Sequence, residues 1–356
     1  TVLGIGGGGG NSVSHMIKSG IKGVNFICAN TDAQDLSKIH SAKKIVLGQE
    51  LTKGLGAGND PEKGKAATEE SIEEIKKHLE NTEMLFIAAG MGGGTGTGGA
   101  PVVAKLAKDM GILTVGVVTT PFKHEGPKRA SQASIGISDL MLSIDSCILI
   151  DNEKIFQVFP EDTDLLDGFD AVDNVLTNAL KSITNVILND TARMNVDFAD
   201  VKAAMSHQGM ALMCYGTASG SSRAEEAVNN ALNNPFFDQA EIRNAKGLIV
   251  NICASKLEKK EILEIMKLAQ SVGKNAIESI PGLMIDDSYG DEISVTIIAT
   301  GLRAMDVDRH NWTTTVTVPS NTNRLNGKID INSDGYVKLS NLKKIDIKET
   351  LRRLKN

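Results

Sequence analysis

Two glycine runs and one pair of acids are the residues in this chain whose types and spacing could do chemistry. The first run is Gly4-Ile5-Gly6-Gly7-Gly8-Gly9-Gly10-Asn11, and the second is Gly90-Met91-Gly92-Gly93-Gly94-Thr95-Gly96-Thr97-Gly98-Gly99. Each follows an apolar run, and the second precedes a helix-like segment starting near Pro101. Strand, glycine turn and helix start together let backbone N–H groups turn inward beside the positive end of a helix dipole. The natural occupant is an anion, most simply a phosphate chain; a tight turn alone needs one or two glycines. The acids are Asp197 and Asp200, three apart in Asn195-Val196-Asp197-Phe198-Ala199-Asp200. At a helix start both carboxylates project to one side, as a cap and a dipole-complementing acid or as groups that polarise a water attacking a phosphate. The two roles can coexist.

Glycine density does not name the ligand. Gly4, Gly6 and Gly9 form a G-x-G-x-x-G, and Asp32 follows the second strand where a ribose-binding acid would sit, so an NAD-dependent oxidoreductase is one candidate. Five consecutive glycines make such a match almost unavoidable, and a dinucleotide fold has no use for the run at 90–99. Two runs beyond neighbouring strands suit one long polyphosphate better. No P-loop occurs: Lys65 follows Gly64 but is followed by Ala66. A nucleoside triphosphate site here lacks the P-loop lysine.

The elements that must position these residues alternate. Residues 1–5, 24–29, 44–47, 84–88, 113–119 and 146–150 read as strands, with a helix expected over 62–79, the rhythm of a mostly parallel, doubly wound sheet. Ligands of such sheets sit beyond the carboxyl ends of the strands, where both glycine runs fall. Residues 164–188 show the broad apolar periodicity of a buried helix. Residues 203–303 read as helices over 223–232 and 259–272 with strands over 247–254, 282–285 and 293–300, a smaller α/β domain without a catalytic constellation. The expected organisation is a nucleotide domain (1–163), central helix (164–189), second domain (190–304), flexible linker (305–340) and basic tail (341–356).

Composition narrows the class. The chain has 356 residues, 41% hydrophobic and 23% charged, enough for two cores. Cys28, Cys147, Cys214 and Cys253 lie far apart in apolar runs, which predicts buried free thiols in a reducing compartment, and they make no metal site. No apolar run approaches the roughly 20 residues of a membrane span, so no direct membrane insertion is expected. Net charge is −6, divided as −10 over residues 1–340 and +4 over 341–356. An acidic body argues against nucleic-acid binding by backbone neutralisation.

The run Gly92, Gly93, Gly94, Thr95, Gly96, Thr97, Gly98 resembles the signature of the tubulin/FtsZ family. Further similarities follow in family order at Gly7 to Asn11, Asn30 to Gln34, Gly54 to Gly58, Pro121-Phe122 with Glu125-Gly126 and Arg129, Asn195 to Lys202, and Gly290 to Gly301. The resemblance implies a self-assembling GTPase of the cell-division ring, cytoplasmic and at the division site, that hydrolyses GTP to GDP and phosphate between subunits of a head-to-tail filament. It implies nucleotide contacts from Gly7, Gly8, Gly9, Gly10, Asn11, Asn30, Gly58, residues 92–98, Glu125, Arg129 and Asn152. Phe169 would stack on guanine and Asp173 accept its N–H groups. Mg²⁺ would be bound mainly through the nucleotide. Asn195, Asp197 and Asp200 would act on the GTP of the next subunit, and the tail would dock membrane-tethering and division-regulating proteins. A non-hydrolysing tubulin-like scaffold is the other reading. Departures from the family pattern are His15 and Thr120 in place of basic residues, Asn59-Asp60, Thr191 to Met194, and Lys348 in place of a tail proline.

Overall fold

The structure, a computed structural model, describes residues 1–154, 174, 177, 180, 184, 198–233, 242, 244–273 and 276–302. The expected domain boundaries at 163/164 and 189/190, the linker and the tail lie outside them.

The described strands form one ten-stranded sheet in the order β3-β2-β1-β4-β5-β6-β7-β10-β8-β9. They are β1 (Val2–Ile5), β2 (Phe26–Asn30), β3 (Lys43–Val46), β4 (Met84–Gly90), β5 (Leu113–Thr120), β6 (Ser146–Asp151), β7 (Gly209–Ser219), β8 (Gly247–Ala254), β9 (Glu278–Ile285) and β10 (Glu292–Leu302). The first six pair in parallel, and β6 continues in parallel to β7 through Ser146↔Gly209. Only β10 runs against its neighbours, β7 and β8. Parallel strands covered on both faces need continuous apolar sequence, and Leu3, Ile5, Leu85, Ile87, Val115 and Ile148 are accordingly buried. Pro281, in β9, is tolerated because β9 is an edge strand whose outer side needs no N–H donor.

The helices of the first half are α1 (Gly6–Lys18), α2 (Ala33–Ser37), α3 (Gln49–Thr52), α4 (Pro61–Glu70), α5 (Ile72–Leu79), α6 (Thr95–Asp109) and α7 (Pro127–Met141). The helix expected over 62–79 is two helices, broken at Ser71, whose hydroxyl accepts the Gly48 N–H at 3.0 Å. The helix expected from Pro101 starts six residues earlier, at Thr95. Strand β7 has no counterpart in the sequence expectation. Its Gly-Met-Ala-Leu-Met-Cys run is poor in β-branched residues and becomes a strand because β6 and β10 flank it.

The glycine runs are more helical than a cradle of loops requires. Gly6 to Gly10 are the first turns of α1, and Gly96, Gly98 and Gly99 lie in α6. Much of the density answers to close packing. A Cβ on Gly9 would lie 2.2 Å from the Ala88 carbonyl oxygen, and one on Gly98 would lie 1.9 Å from the Pro61 carbonyl oxygen. These glycines let α1 rest on β4 and α4 rest on α6, backbone against backbone. Positive φ is needed at Gly6 (+73°) and Gly92 (+108°).

The four cysteines are free and buried, as their apolar surroundings predict. Burial pushes the thiols up, Cys147 and Cys214 to about 12, so none is a nucleophile near neutral pH. Among the described residues no helix is long and apolar enough to cross a membrane.

Candidate nucleotide site

Strands β1, β4, β5 and β6 end on the same edge of the sheet, and a cavity of ≈ 730 Å³ opens there. That size is ordinary for a small-molecule site. The start of α1 supplies Gly6, Gly7 and Gly8; the turn after β4 and the start of α6 supply Gly90, Met91, Gly93, Gly94, Thr95 and Gly96. Thr119, Thr120 and Pro121 come from the end of β5, Glu125 and Arg129 from the approach to α7, and Asn152 from the turn after β6.

Three helices begin at this cavity, and their first turns share a peculiarity. Neither α1, α6 nor α7 carries an acid there, whereas every other described α-helix does. An acid in the first turn ordinarily complements the helix dipole. Its omission where the N-termini meet leaves their free N–H groups for an anion from solution. Arg129, in the first turn of α7, adds a formal positive charge and pairs with Glu125, whose Oε1 accepts the Phe122 N–H at 2.9 Å.

The glycine turn after β4 is held from behind. Gly92 N–H donates to Thr97 Oγ1 at 2.8 Å, and Met91 N–H donates to the Thr119 carbonyl at 2.9 Å. The hydroxyls of Thr31 and Thr95 share a hydrogen bond of 2.6 Å, tying the end of β2 to the start of α6. These bonds preorganise the turn, so little ordering is left for binding.

Asn152 is 9% exposed, lines the cavity, and its Oδ1 has no hydrogen-bond partner. A buried amide oxygen is left so only at a cost, and a ligand N–H or O–H would remove it. Together with the free N–H groups, this orphan acceptor fits a nucleotide, which brings anionic phosphates and donor-bearing ribose and base.

Of the expected contacts, Gly7, Gly8, Asn11, Gly93, Gly94, Thr95, Gly96, Glu125, Arg129 and Asn152 border the cavity. Others are used differently. Gly9 and Gly10 are buried against Ala88 and Ile39, Gly98 faces Pro61, Thr97 and Gly92 bind each other, and Gly58 is exposed with φ +64°. Asn30 Nδ2 donates to Asp35 at 3.3 Å and its Oδ1 accepts the Asp32 N–H, so it shapes the entry to α2. Phe169, Asp173, Asn195 and Asp197 lie outside the described residues. Ser12, Ser14 and Lys18, not anticipated at the site, continue the cavity along α1 together with His15, which stands where the family pattern has a basic residue. With Gly7, Gly8 and Asn11 they recur every three or four residues, a helical stripe legible in the sequence once α1 is known to start at Gly6.

A dinucleotide site would need Asp32 for a ribose. Asp32 is instead the N-cap of α2, accepting from the Gln34 and Asp35 N–H groups at 2.9 and 3.0 Å, and it does not line the cavity. The glycine fingerprint therefore lacks its acid.

The helix Phe198–Met205 carries Asp200 exposed in its first turn. Its far end is fixed by Ser146, whose hydroxyl donates to the Met205 carbonyl at 2.8 Å. Ser146 begins β6, whereas the cavity lies beyond that strand's end. The six residues of β6 span roughly 17 Å, and the five residues from Asp200 to Met205 rise only about 7 Å. Asp200 is not among the residues lining the cavity of its own molecule.

Residues 1–160 match the tubulin/FtsZ family GTPase domain, and residues 209–303 match the FtsZ family C-terminal domain. The chain belongs to the tubulin/FtsZ family. Over 304 residues it is 47% identical to the cell division protein FtsZ of Pseudomonas putida, covering 85% of this chain and 76% of that one. The FtsZ of Buchnera aphidicola subsp. Baizongia pistaciae is 44% identical over 311 residues, 87% and 80% of the two chains. A solved FtsZ dimer of M. jannaschii superposes with a TM-score of 0.78 at 41% identity, covering 84% of this chain and 87% of that one. CetZ2 of Haloferax volcanii, at 20% identity and a TM-score of 0.73, shares the fold. The oxidoreductase alternative is thereby set aside, and the family's GTPase domain implies binding of a guanine nucleotide.

Proposed function

We propose that this chain is a cell-division GTPase that assembles head to tail and hydrolyses GTP between subunits. The observation that carries this reading is the separation of Asp200 from the cavity across the sheet. Among the described residues, the one carboxylate lining the phosphate cradle, Glu125, is taken up by Arg129 and the Phe122 N–H, so the cradle can bind GTP but has no free acid to orient the attacking water. A second copy stacked with its amino edge over this cavity would supply one. Such a contact joins two different faces, so it does not close and extends into a filament. The likeness to an FtsZ dimer accords with self-association.

Within one molecule, the N-termini of α1 and α6 bind and orient the phosphates, and Arg129 offsets charge on them. Asn152 accepts from the nucleoside or ribose. Asp197, Asp200 and Asn195 of the neighbouring copy position the water, and an aspartate carboxylate accepts its proton. Phe169 stacks on the guanine, and Asp173 accepts its N–H groups, selecting guanine over adenine. Mg²⁺ would be held chiefly by the phosphates of the nucleotide. The chain divides at 163/164, 189/190 and 304/305, its tail docks tethering and regulatory proteins, and it acts in the cytoplasm at the division site.

The deciding experiment measures GTP turnover per molecule against protein concentration, alongside sedimentation with GTP and with GDP. Turnover per molecule should rise above a threshold concentration and polymer should pellet with GTP. Turnover per molecule that stays constant from the lowest dilution would overturn hydrolysis in trans. Polymer without turnover would favour a scaffold.

A further inference from the structure

Resting on the cavity being a guanine-nucleotide site, we propose that Asp151 is a positioning residue that holds the Asn152 acceptor at the nucleotide, with Thr120 as its partner across the sheet. Asn152 opens a single turn, Asn152–Lys154, directly after β6. Both of its chain neighbours are tied to the segment that follows β5. Asp151 stands in register with Thr120 across the β5–β6 pair, and its Oδ1 accepts the Thr120 hydroxyl at 3.1 Å. Glu153 Oε2 accepts the Lys123 N–H at 3.0 Å, and its Oε1 lies 3.8 Å from the Lys123 ammonium. Asn152 is thus bracketed by two carboxylates bonded to residues 120–123, of which Thr120 and Pro121 border the same cavity.

The same Asp151 oxygen also accepts the Glu153 N–H at 3.0 Å, a bond from the residue two positions on that closes the turn around Asn152. One oxygen therefore fixes both the shape of the turn and its place beside β5. Asp151 is not among the residues lining the cavity, so it makes no contact with a ligand there and what it sets is where the Asn152 side chain stands. That placement matters because a hydrogen bond weakens steeply as its angle departs from linear, and Asn152 Oδ1 is a buried acceptor whose partner must come from the ligand. Holding it in place beforehand removes an ordering cost from binding. Thr120 stands where the family pattern has a basic residue, and its chemistry suits this task. A β-branched side chain is stiff at its first torsion and its hydroxyl gives a directional bond, whereas a lysine would bring a mobile point charge.

The test measures GDP affinity of the full chain by calorimetry for Asp151→Ala, Asp151→Asn, Thr120→Val and Thr120→Ser, with Asp151→Ala and Thr120→Val repeated in an Asn152→Ala background. Asp151→Ala and Thr120→Val should each weaken GDP binding about 5-fold, part of the roughly 10-fold that one hydrogen bond is worth. Asp151→Asn keeps the acceptor and Thr120→Ser keeps the donor, so both should bind within about 2-fold of wild type. In the Asn152→Ala background neither Asp151→Ala nor Thr120→Val should weaken binding further, the signature of action through Asn152 that a merely structural role would not give. Should Asp151→Ala fail to fold, Thr120→Val, which leaves the bond from Glu153 N–H to Asp151 in place, carries the same test. Undiminished losses in the Asn152→Ala background, or an Asp151→Asn variant as impaired as Asp151→Ala, would overturn the positioning role. Failure of the wild type to bind GDP would instead remove the nucleotide-site reading, and the positioning role with it.

Discussion

The Ser146 hydroxyl donates to the Met205 carbonyl at 2.8 Å, and through this bond the helix that carries Asp200 is anchored at the start of β6, while the cavity lies beyond its end. Thr300 reinforces it, donating to the neighbouring Ala204 carbonyl at 2.5 Å. The consequence is that Asp200 can be removed without touching phosphate binding. Asp200→Ala should bind GTP within roughly 3-fold of wild type and lose about 100-fold or more of its turnover, the scale of general-base removal. Calorimetry and phosphate release check the two halves. Loss of binding in parallel with turnover would point to a structural cap.

Glycines with different neighbours should fail in different ways. Gly98→Ala places a Cβ 1.9 Å from the Pro61 carbonyl oxygen and should cost about 3 kcal/mol by overpacking α4 against α6. Gly8→Ala meets nothing closer than 3.4 Å and borders the cavity. Its penalty should fall on nucleotide affinity, with unfolding free energy changed by less than about 1 kcal/mol. Urea unfolding of the nucleotide-free proteins together with GDP titration separates the two.

Asn152 offers the converse case. Because its Oδ1 is buried without a partner, Asn152→Ala removes an unsatisfied acceptor and should leave the nucleotide-free protein as stable or more so. Nucleotide affinity should fall about 10-fold, equivalent to one hydrogen bond of roughly 1.4 kcal/mol. An unfolding midpoint lowered without any change in binding would contradict the role assigned here.

In the second half, stability should depend on pH through Arg223 and Glu261. Their side chains are 11% and 10% exposed, Arg223 Nε donates to Glu261 Oε1 at 2.8 Å, and the guanidinium also reaches the Asp291 and Lys256 carbonyls. The hydrogen bond from Arg223 holds the Glu261 carboxyl below its ordinary value. A carboxylate lowered on folding stabilises at pH above its unfolded value and loses that contribution as pH falls through the folded one. Unfolding free energy should therefore drop in acid, and Glu261→Gln should flatten that limb. At neutral pH the variant should cost about 3 kcal/mol or more, since it leaves Arg223 buried beside an uncharged partner.

Much of the fold was legible because local sequence carried it. The strands β1, β4, β5 and β6 are continuous apolar runs, and their order with intervening helices already implied a parallel sheet. The break at Ser71 and the strand Gly209–Ser219 were not legible. The first depends on a bond to Gly48, distant in sequence, and the second on neighbours that arrive from β6 and β10. At the site, Gly7, Gly8, Gly93 to Gly96 and Arg129 were found from motif and resemblance. Ser12, Ser14 and Lys18 were not legible as cavity residues, because that required knowing that α1 starts within the glycine run, at Gly6.

The sequence by itself determined that two glycine-rich helix starts would follow neighbouring parallel strands, since strand, glycine and helix are adjacent along the chain and each is a local preference. Which glycines face a ligand was decided only in three dimensions. Gly8 and Gly98 are the same residue type in similar surroundings of sequence, yet one borders the cavity and the other admits the backbone of α4. Close approach between helices is a contact between distant segments, and no local pattern encodes it. The tertiary structure alone likewise set Asn152 beside the cavity with a bare acceptor, and Asp200 toward the opposite edge of the sheet, because strand order converts positions along a chain into sides of a molecule.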